Sequence, residues 1–360
     1  MTKKKVALLF GGKSVEHRIS INSAKNIFEY IDKTIYEPLL IGIDLEGRWF
    51  LCNSVHQAIN SGTPLSLHLS SGKFQLADPK GNLIIPDILF PVLHGTNGED
   101  GSVQGLSQTM NIPCVGTGIL GSSVSMSKLA TKKLLKNAGV NVTKFRHYSI
   151  GEKDNIDFKE LSQELKLPFI VKAANLGSSV GINKVTDRNS FEKALNEAFK
   201  FDLDILIEEF ITGRELECAI LGNSDPKASL PGEIIICGDY AFYTFEAKYV
   251  DQNAVRIEIP AKLDQKTIDQ IRDLSIRAYK ELFCEDYARV DLFLSDQGKV
   301  YVNEINTIPG FTNSSMFPMM WADQGINFTE LISKILNFAF EKFEKHTNKQ
   351  TLFLSDLDTK

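Results

Sequence analysis

Residues 288–310 read ARVDLFLSDQGKVYVNEINTIPG, and the organisation of the chain follows from this segment. Two apolar runs, 289–294 and 299–305, flank Ser295-Asp296-Gln297-Gly298. Alternating residues around a polar turn with glycine predict a β-hairpin. A turn centred there sets Asp291 opposite Val302 and Arg289 opposite Glu304. Strand side chains alternate between faces, so Arg289, Asp291, Glu304 and Asn306 then share one face. Hard oxygen ligands of this kind suit Mg²⁺, and the arginine beside them can neutralise a phosphoryl or oxyanion group. The plainer alternative is a solvated hairpin face with an Arg–Glu cross-strand pair. The Pro309-Gly310 turn directly after the carboxylate favours the metal, because it holds the backbone where a ligand can approach closely.

The whole chain is of ordinary globular composition. Its 360 residues are 43% hydrophobic and 24% charged with a net charge of −5, which suits two or three domains and argues against broad nucleic-acid binding. Five cysteines are scattered without a C-x-x-C pair, the pattern of reduced thiols rather than of a disulfide framework or zinc site. The opening MTKKKVALLFGG has an apolar run too short for a signal peptide. No apolar stretch reaches membrane-span length, so a cytoplasmic protein with no membrane partner is expected.

Upstream of the hairpin, residues 6–10 read as a strand buried on both faces, followed by a Gly11-Gly12 turn, a helix over 19–30 and strands over 36–43 and 87–93. This alternation predicts an open α/β domain over about the first 120 residues. The pattern G-x-G-x-x-G is absent, which argues against a dinucleotide-binding oxidoreductase. Residues 44–86, polar and broken by Gly and Pro, give no clear element order. Glu16 stands in a loop beyond a strand end, where a carboxylate can hold a substrate ammonium group; the plainer reading is an acid at a helix N-terminus. His94 to Gly101 forms a second glycine-rich loop containing Glu99.

Residues 127–138 read as a helix carrying Lys128, with strands over 141–147 and 169–172 separated by a helix over 158–165. The Gly/Ser loop from Lys172 to Gly181 offers backbone N–H groups to phosphate oxygens, although it is not the P-loop pattern. A strand over 204–209 ends in Glu208 and Glu209, and alternating segments at 215–223, 230–238 and 254–259 predict an antiparallel sheet. Helices are predicted over 263–283, 314–321 and 328–343, with a polar, fraying end from His346. Domain borders are expected in short loops near 121 and 210.

Six segments in order, HGTNGEDG (94–101), SMSK (125–128), GSSVG (177–181), EAKY (246–249), RVD (289–291) and NEINTIPGFTNSS (303–315), resemble the D-alanine–D-alanine ligase family of the ATP-grasp superfamily. The resemblance spans nearly the whole chain. It implies an α/β and α+β fold: an N-terminal open α/β (Rossmann-like, pre-ATP-grasp) domain over 1–121, then a two-part ATP-grasp over 122–210 and 211–345, with a polar tail over 346–360. It also implies ATP-dependent joining of two D-alanines through an acylphosphate and a tetrahedral intermediate, feeding peptidoglycan synthesis.

By the same resemblance, Asp291, Glu304 and Asn306 would hold two Mg²⁺ (or Mn²⁺), with Glu304 bridging. Lys128, Lys172 and Ser179 would contact ATP phosphates, and Glu208, Glu209, Ile211 and Glu215 would surround adenine and ribose. Arg289 and the Gly310 N–H would serve as oxyanion donors. Glu16 would bind the first ammonium group, in a set with Ser178 and Tyr249. Lys248 would serve both ATP and, with Ser315, the carboxylate of the second D-alanine, with His94 and Glu99 nearby. Arg18 and Thr96-Asn97 depart from the usual family pattern, which touches only the placement of the first substrate. Tyr249 implies an amine nucleophile and so disfavours D-lactate; a D-alanyl-D-serine ligase, or an ATP-grasp ligase for another acid and amine, is the alternative. The family is commonly homodimeric.

Overall fold

The computed structural model describes residues 2–68, 73–177, 181–237 and 255–347. The apolar opening run forms β1 (Lys4–Gly11), whose residues 6–10 are at most 1% exposed. It is flanked on both sides by parallel partners, β2 (Tyr36–Ile43) and β7 (Ile88–Pro91). Such double coverage explains the unbroken hydrophobic sequence. Between them the chain adds β3 (Trp49–Cys52), β4 (Thr63–Leu67), β5 (Leu76–Ala77) and β6 (Leu83–Ile84) as successive antiparallel neighbours, giving the order β6-β5-β4-β3-β2-β1-β7. Gly11 ends β1 with φ +89°, and a Cβ there would lie 2.3 Å from the Ile43 carbonyl, so the turn into α1 (His17–Tyr30) requires glycine. The helices α2 (Ser102–Thr109), α3 (Ile119–Met126) and α4 (Lys128–Asn137) follow. Residue 121, near which a loop border was expected, lies inside α3.

A second sheet has the order β10-β9-β11-β8, built from β8 (Phe145–Ser149), β9 (Phe169–Ala173), β10 (Asn183–Val185) and β11 (Asp204–Glu209). Helices α5 (Phe158–Leu165) and α6 (Arg188–Phe201) cover it, each capped by an aspartate, Asp157 and Asp187, whose carboxylate accepts first-turn N–H groups. The strand expected from 141 begins only at Phe145. Asn141 O instead accepts from Val302 N, and Lys144 N donates to Glu209 Oε1, so 141–144 bridges two sheets.

The third sheet runs β15-β14-β12-β16-β17, with β13 also paired to β12. Its strands are β12 (Gly213–Leu221), β13 (Lys227–Ala228), β14 (Gly232–Ile236), β15 (Val255–Glu258), β16 (Tyr287–Ser295) and β17 (Val300–Asn306). The helix α7 (Gln265–Glu281) packs on one face through Ile271, Ala278 and Tyr279; α8 (Met316–Asp323) and α9 (Phe328–Thr347) pack with the other. The hairpin forms as expected but with a different register. Leu294 pairs with Val300, and a bulge between Asp291 and Leu292 takes in Asn303, so Asp291 faces Glu304 and Arg289 faces Asn306. The strands already pair one residue off the expected count at the turn, and the bulge adds a second, so counting back from the turn misplaces the pairs by two at Asp291. The four polar groups still share a face.

The helix α9 packs against the N-terminal sheet and α1. Tyr30 stacks on Phe328 at 5.0 Å, Thr329 Oγ1 donates to Tyr30 O at 2.8 Å, and Leu331, Ile335 and Leu336 share one core with Val6, Leu8 and Ile27. Lys342, farther along α9, reaches the buried Asp286 at 2.8 Å and also donates to Gly116 O. The helix continues through His346 and Thr347, where the polar tail was expected to have begun. Among the described residues no helix is long and apolar enough to cross a membrane.

Candidate active site

The second and third sheets face each other across a cleft of about 550 Å³ lined by Lys128, Lys172, Glu208, Glu209, Ile211, Glu215, Asp291 and Glu304, among others. Residues separated by up to 176 positions (304 − 128) in sequence are thereby gathered. In the β9–β11 ladder Lys172 pairs with Leu206 and Ile170 with Glu208. Lys172 and Glu208 are thus diagonal neighbours on one face, and their charges stand 3.0 Å apart. Lys128 follows the N-cap Ser127, whose hydroxyl accepts from Ala130 N, and its ammonium donates to Leu176 O at 2.6 Å and lies 3.1 Å from Glu304 Oε2. Beneath Glu208 lies Lys132, fully buried, with Nζ 3.0 Å from Glu208 Oε2. Burial alone would raise the Glu208 carboxyl, but Lys132 and then Lys172 outweigh it and hold it down at about 2. Lys132 is pushed down to about 8, chiefly by burial and partly offset by Glu208.

Glu217, Asp291 and Glu304 line the same cleft. They lie directly across from one another on β12, β16 and β17. Arg289 donates to both oxygens of Asp291, at 2.7 and 2.8 Å, and lies 3.0 Å from Glu217 Oε2. Asn306 Nδ2 donates to Asp291 Oδ2 at 3.0 Å, which leaves its amide oxygen directed elsewhere. Among the described residues no group of three or more His, Cys, Asp or Glu is gathered for a metal ion. Two carboxylates and an amide beside a cleft of about 550 Å³ are instead the sparse oxygen set that Mg²⁺ takes with substrate phosphates, so the residues present fit it.

The N-terminal unit contributes a second cluster. Glu16 occupies the N-cap position of α1 but makes no side-chain cap bond, and it is 8% exposed. This N-cap position is the one that an acid at a helix N-terminus predicts, and its burial shows that it is not a solvated cap. Two glycines flank its carboxylate: a Cβ on Gly95 would lie 2.7 Å from Oε2 and one on Gly177 3.3 Å away. Gly177 is thus brought against the N-terminal loop. His94 Nδ1 lies 2.9 Å from Ile308 O and Nε2 lies 3.0 Å from Ser23 Oγ. A carbonyl only accepts, so Nδ1 carries the proton and Nε2 accepts from Ser23, a neutral tautomer that agrees with burial lowering this histidine. Glu99 accepts from Gly95 N at 2.7 Å and from Ile308 N at 3.2 Å, and burial, with Glu16 adding to it, pushes its carboxyl up to about 8. The segment after the hairpin is thereby tied to the N-terminal loop. Gly310 lies against Ser315, where a Cβ would come within 2.8 Å of Oγ, and that hydroxyl accepts from Thr312 N at 3.0 Å.

Ser178, Ser179, Lys248 and Tyr249 lie outside the described residues. Lys132, Thr143, Glu217 and Ser23 were not singled out from sequence. For Glu217 a signal was present, since it alternates with Glu215 along one strand face; a helical lysine such as Lys132 carries none.

Residues 5–117 match the family model described as D-ala D-ala ligase N-terminus, and residues 134–337 match the one described as D-ala D-ala ligase C-terminus. The chain belongs to the D-alanine–D-alanine ligase family. Within this ligase family it is 45% identical over 356 residues to the D-alanine–D-alanine ligase of Oceanobacillus iheyensis, covering 95% of this chain and 97% of that one. It is 41% identical over 355 residues to the D-alanine–D-alanine ligase A of Escherichia coli, again covering 95% of this chain and 97% of the relative. Among solved structures it resembles the D-alanine-D-alanine ligase from Coxiella burnetii, with a TM-score of 0.85 at 35% identity over 96% of each chain. It also resembles the VanG D-Ala:D-Ser ligase from Enterococcus faecalis, with a TM-score of 0.84 at 32% identity over 94% of this chain and 100% of that one. The α/β and α+β architecture is that of these ligase-family structures, an N-terminal unit followed by a two-part ATP-grasp.

Proposed function

We propose that this protein joins two D-alanines at the expense of ATP, giving D-alanyl-D-alanine, ADP and phosphate as a step in peptidoglycan precursor synthesis. The observation that carries the proposal is the convergence of three units. Lys128 and Lys172 face Asp291 and Glu304 across the cleft, while Glu16 is delivered from the N-terminal unit beside Gly177. We take residues 1–121, 122–210 and 211–345 as those units, followed by the tail over 346–360.

In this mechanism Lys128 and Lys172, with Ser179, bind the ATP phosphates, and Glu208, Glu209, Ile211, Glu215 and Lys248 frame the rest of the nucleotide. Asp291, Glu304 and Asn306 would hold two Mg²⁺, or Mn²⁺, and bound there the ions would supply Lewis-acid charge neutralisation at the transferred phosphoryl group. Glu16, with Ser178 and Tyr249, holds the ammonium of the first D-alanine so that its carboxylate oxygen is aimed at the γ-phosphorus. Attack expels ADP and leaves an acylphosphate. Lys248 and Ser315 hold the carboxylate of the second D-alanine, whose neutral amine then attacks the acyl carbon. Arg289 and the Gly310 N–H receive the developing oxyanion, and collapse of the tetrahedral intermediate expels phosphate. His94 and Glu99 tie the N-terminal loop to the segment after the hairpin, near the second D-alanine.

Phosphate release from Mg-ATP with D-alanine, against L-alanine, with the product identified by mass, tests the proposal. Release only with D-alanine and formation of D-alanyl-D-alanine support it; no release with D-alanine overturns the substrate. The likeness to the enterococcal D-Ala:D-Ser ligase favours one second reading, in which D-serine is the nucleophile. An equimolar competition of D-alanine, D-serine and D-lactate separates the products by mass. A cytoplasmic homodimer is part of the same proposal, and sedimentation equilibrium at working concentration checks the stoichiometry.

A further inference from the structure

The helix α4 carries two lysines one turn apart with different surroundings. Lys128 reaches the cleft, whereas Lys132 is fully buried and does not line it. Lys132 Nζ donates to Thr143 Oγ1 at 2.7 Å and lies 3.0 Å from Glu208 Oε2; the Thr143 hydroxyl donates onward to that same oxygen at 2.9 Å. The other oxygen of Glu208 faces Lys172 Nζ at 3.0 Å. The ring of Phe145, 5.9 Å from Nζ, stands beside the buried ammonium. One carboxylate therefore sits between two ammonium groups, one sealed inside the protein and one facing the cleft.

Charge balance gives this arrangement a purpose. Desolvating an ion is costly, and a buried ion pair is weak support for stability, so the buried ammonium calls for another account. Glu208 and Lys172 alone would cancel, leaving the cleft lysine committed to its neighbour. With Lys132 behind Glu208 the trio carries one net positive charge, and the surplus faces the cleft through Lys172. In a poorly hydrated site that surplus acts strongly on an incoming anion.

We propose that Lys132 is a positioning residue for nucleotide binding: it neutralises Glu208 from inside the protein, so that Lys172 offers its charge to the ATP phosphates. The proposal rests on the nucleotide role given to the cleft above, and its test keeps the two apart. Mg-ADP affinity is measured by calorimetry on the full chain without D-alanine, for the unmutated protein, Lys172→Met, Lys132→Met, Glu208→Gln and the double variant Lys132→Met/Glu208→Gln. No binding by the unmutated protein, or an unchanged affinity in Lys172→Met, overturns the nucleotide role itself.

With those controls in place, Lys132→Met is expected to weaken Mg-ADP binding about tenfold or more, as close charge pairs do when one member is lost. The KM for ATP rises in parallel while the KM for D-alanine stays within about twofold. In the Glu208→Gln background the same substitution changes Mg-ADP affinity by less than about twofold, because no carboxylate remains to be balanced. A lysine that merely supports the fold would lower the melting temperature and the active fraction but leave the affinity of the folded protein unchanged, which overturns the proposal. If Lys132→Met does not accumulate as folded protein, the comparison of Glu208→Gln with the double variant decides. A tenfold weaker Mg-ADP affinity in the double variant than in Glu208→Gln also overturns it.

Discussion

Replacing Lys342 by methionine tests how the last helix supports the site. Asp286 is completely buried at the start of β16, three residues before Arg289, and Lys342 from α9 lies 2.8 Å from its Oδ2, which also accepts from Gly116 N at 2.8 Å. Methionine keeps most of the volume but removes the cation, leaving a buried carboxylate held by the Gly116 N–H and Asn223. Burial already pushes Asp286 up, with Lys342 as the main opposing influence. Breaking a buried pair in this way costs about 3–5 kcal/mol. At roughly 2.1 cal/mol/K of unfolding entropy per residue, the 360 residues give about 0.76 kcal/mol/K, so a loss of ~4 kcal/mol lowers Tm by ~5 °C. Calorimetry and urea unfolding at pH 7 measure both quantities. Asp286 has φ +61°, a conformation that asparagine tolerates, so Lys342→Met/Asp286→Asn removes both charges without new backbone strain and should recover more than half of the loss. A cost below about 1 kcal/mol for the single variant, or no recovery in the double variant, refutes the reasoning.

Other substitutions probe the catalytic groups. Glu304→Gln is expected to lower kcat by about 100-fold or more in protein that still folds, although it also takes the partner carboxylate from Lys128 at 3.1 Å; unimpaired ATP-coupled dipeptide formation would remove it from the proposed metal site. Gly95→Ala puts a Cβ 2.7 Å from Glu16 Oε2 at φ +77°, so kcat/KM for D-alanine should fall about tenfold or more for a stability cost of about 1–2 kcal/mol; an unchanged kcat/KM would place the first substrate elsewhere. Glu99 holds its proton in the folded protein from its ordinary 4.5 up to about 8. A raised carboxyl binds more protons folded than unfolded across that window, so its contribution falls as pH rises, by up to about 1.4 kcal/mol per pH unit. Melting curves of Glu99→Gln should lose that slope relative to the unmutated protein between pH 5 and 8, and parallel slopes would contradict the buried, protonated state.

What could be read from sequence, and what could not, divides along the range of the causes. The β1 run, the hairpin and α5 are fixed by local periodicity, and their elements stand where the spacing put them. The hairpin register differs by two residues at Asp291: one arises at the turn, where Leu294 pairs with Val300 rather than Lys299, and one from Asn303, which the bulge takes up and which looks like any other member of an alternating strand. Residues 44–86 gave no order because β5 and β6 are two residues each, too short for a period to show. Glu16 reads locally as a helix cap; only Gly95 and Gly177, distant in sequence, reveal a carboxylate enclosed between two loops. Lys132 sits on an amphipathic helix as a solvated lysine would, and its burial depends on Glu208 arriving from another strand. The pieces carrying chemistry were legible as residue types; the partners that set their charge were not.

The packing of α9 against the N-terminal unit also bears on how the protein is made. Tyr30 waits for a partner 299 residues downstream, and Leu331, Ile335 and Leu336 complete a core begun by Val6 and Leu8. At roughly 5–20 residues per second of synthesis, that interval is on the order of 15–60 s, during which one apolar flank of the first unit emerges from the ribosome without its cover. The nascent chain should therefore engage holding chaperones until its final helix is free. Arrested chains that end before residue 328 would stay chaperone-bound and protease-sensitive in the first unit, whereas chains released after residue 347 would not.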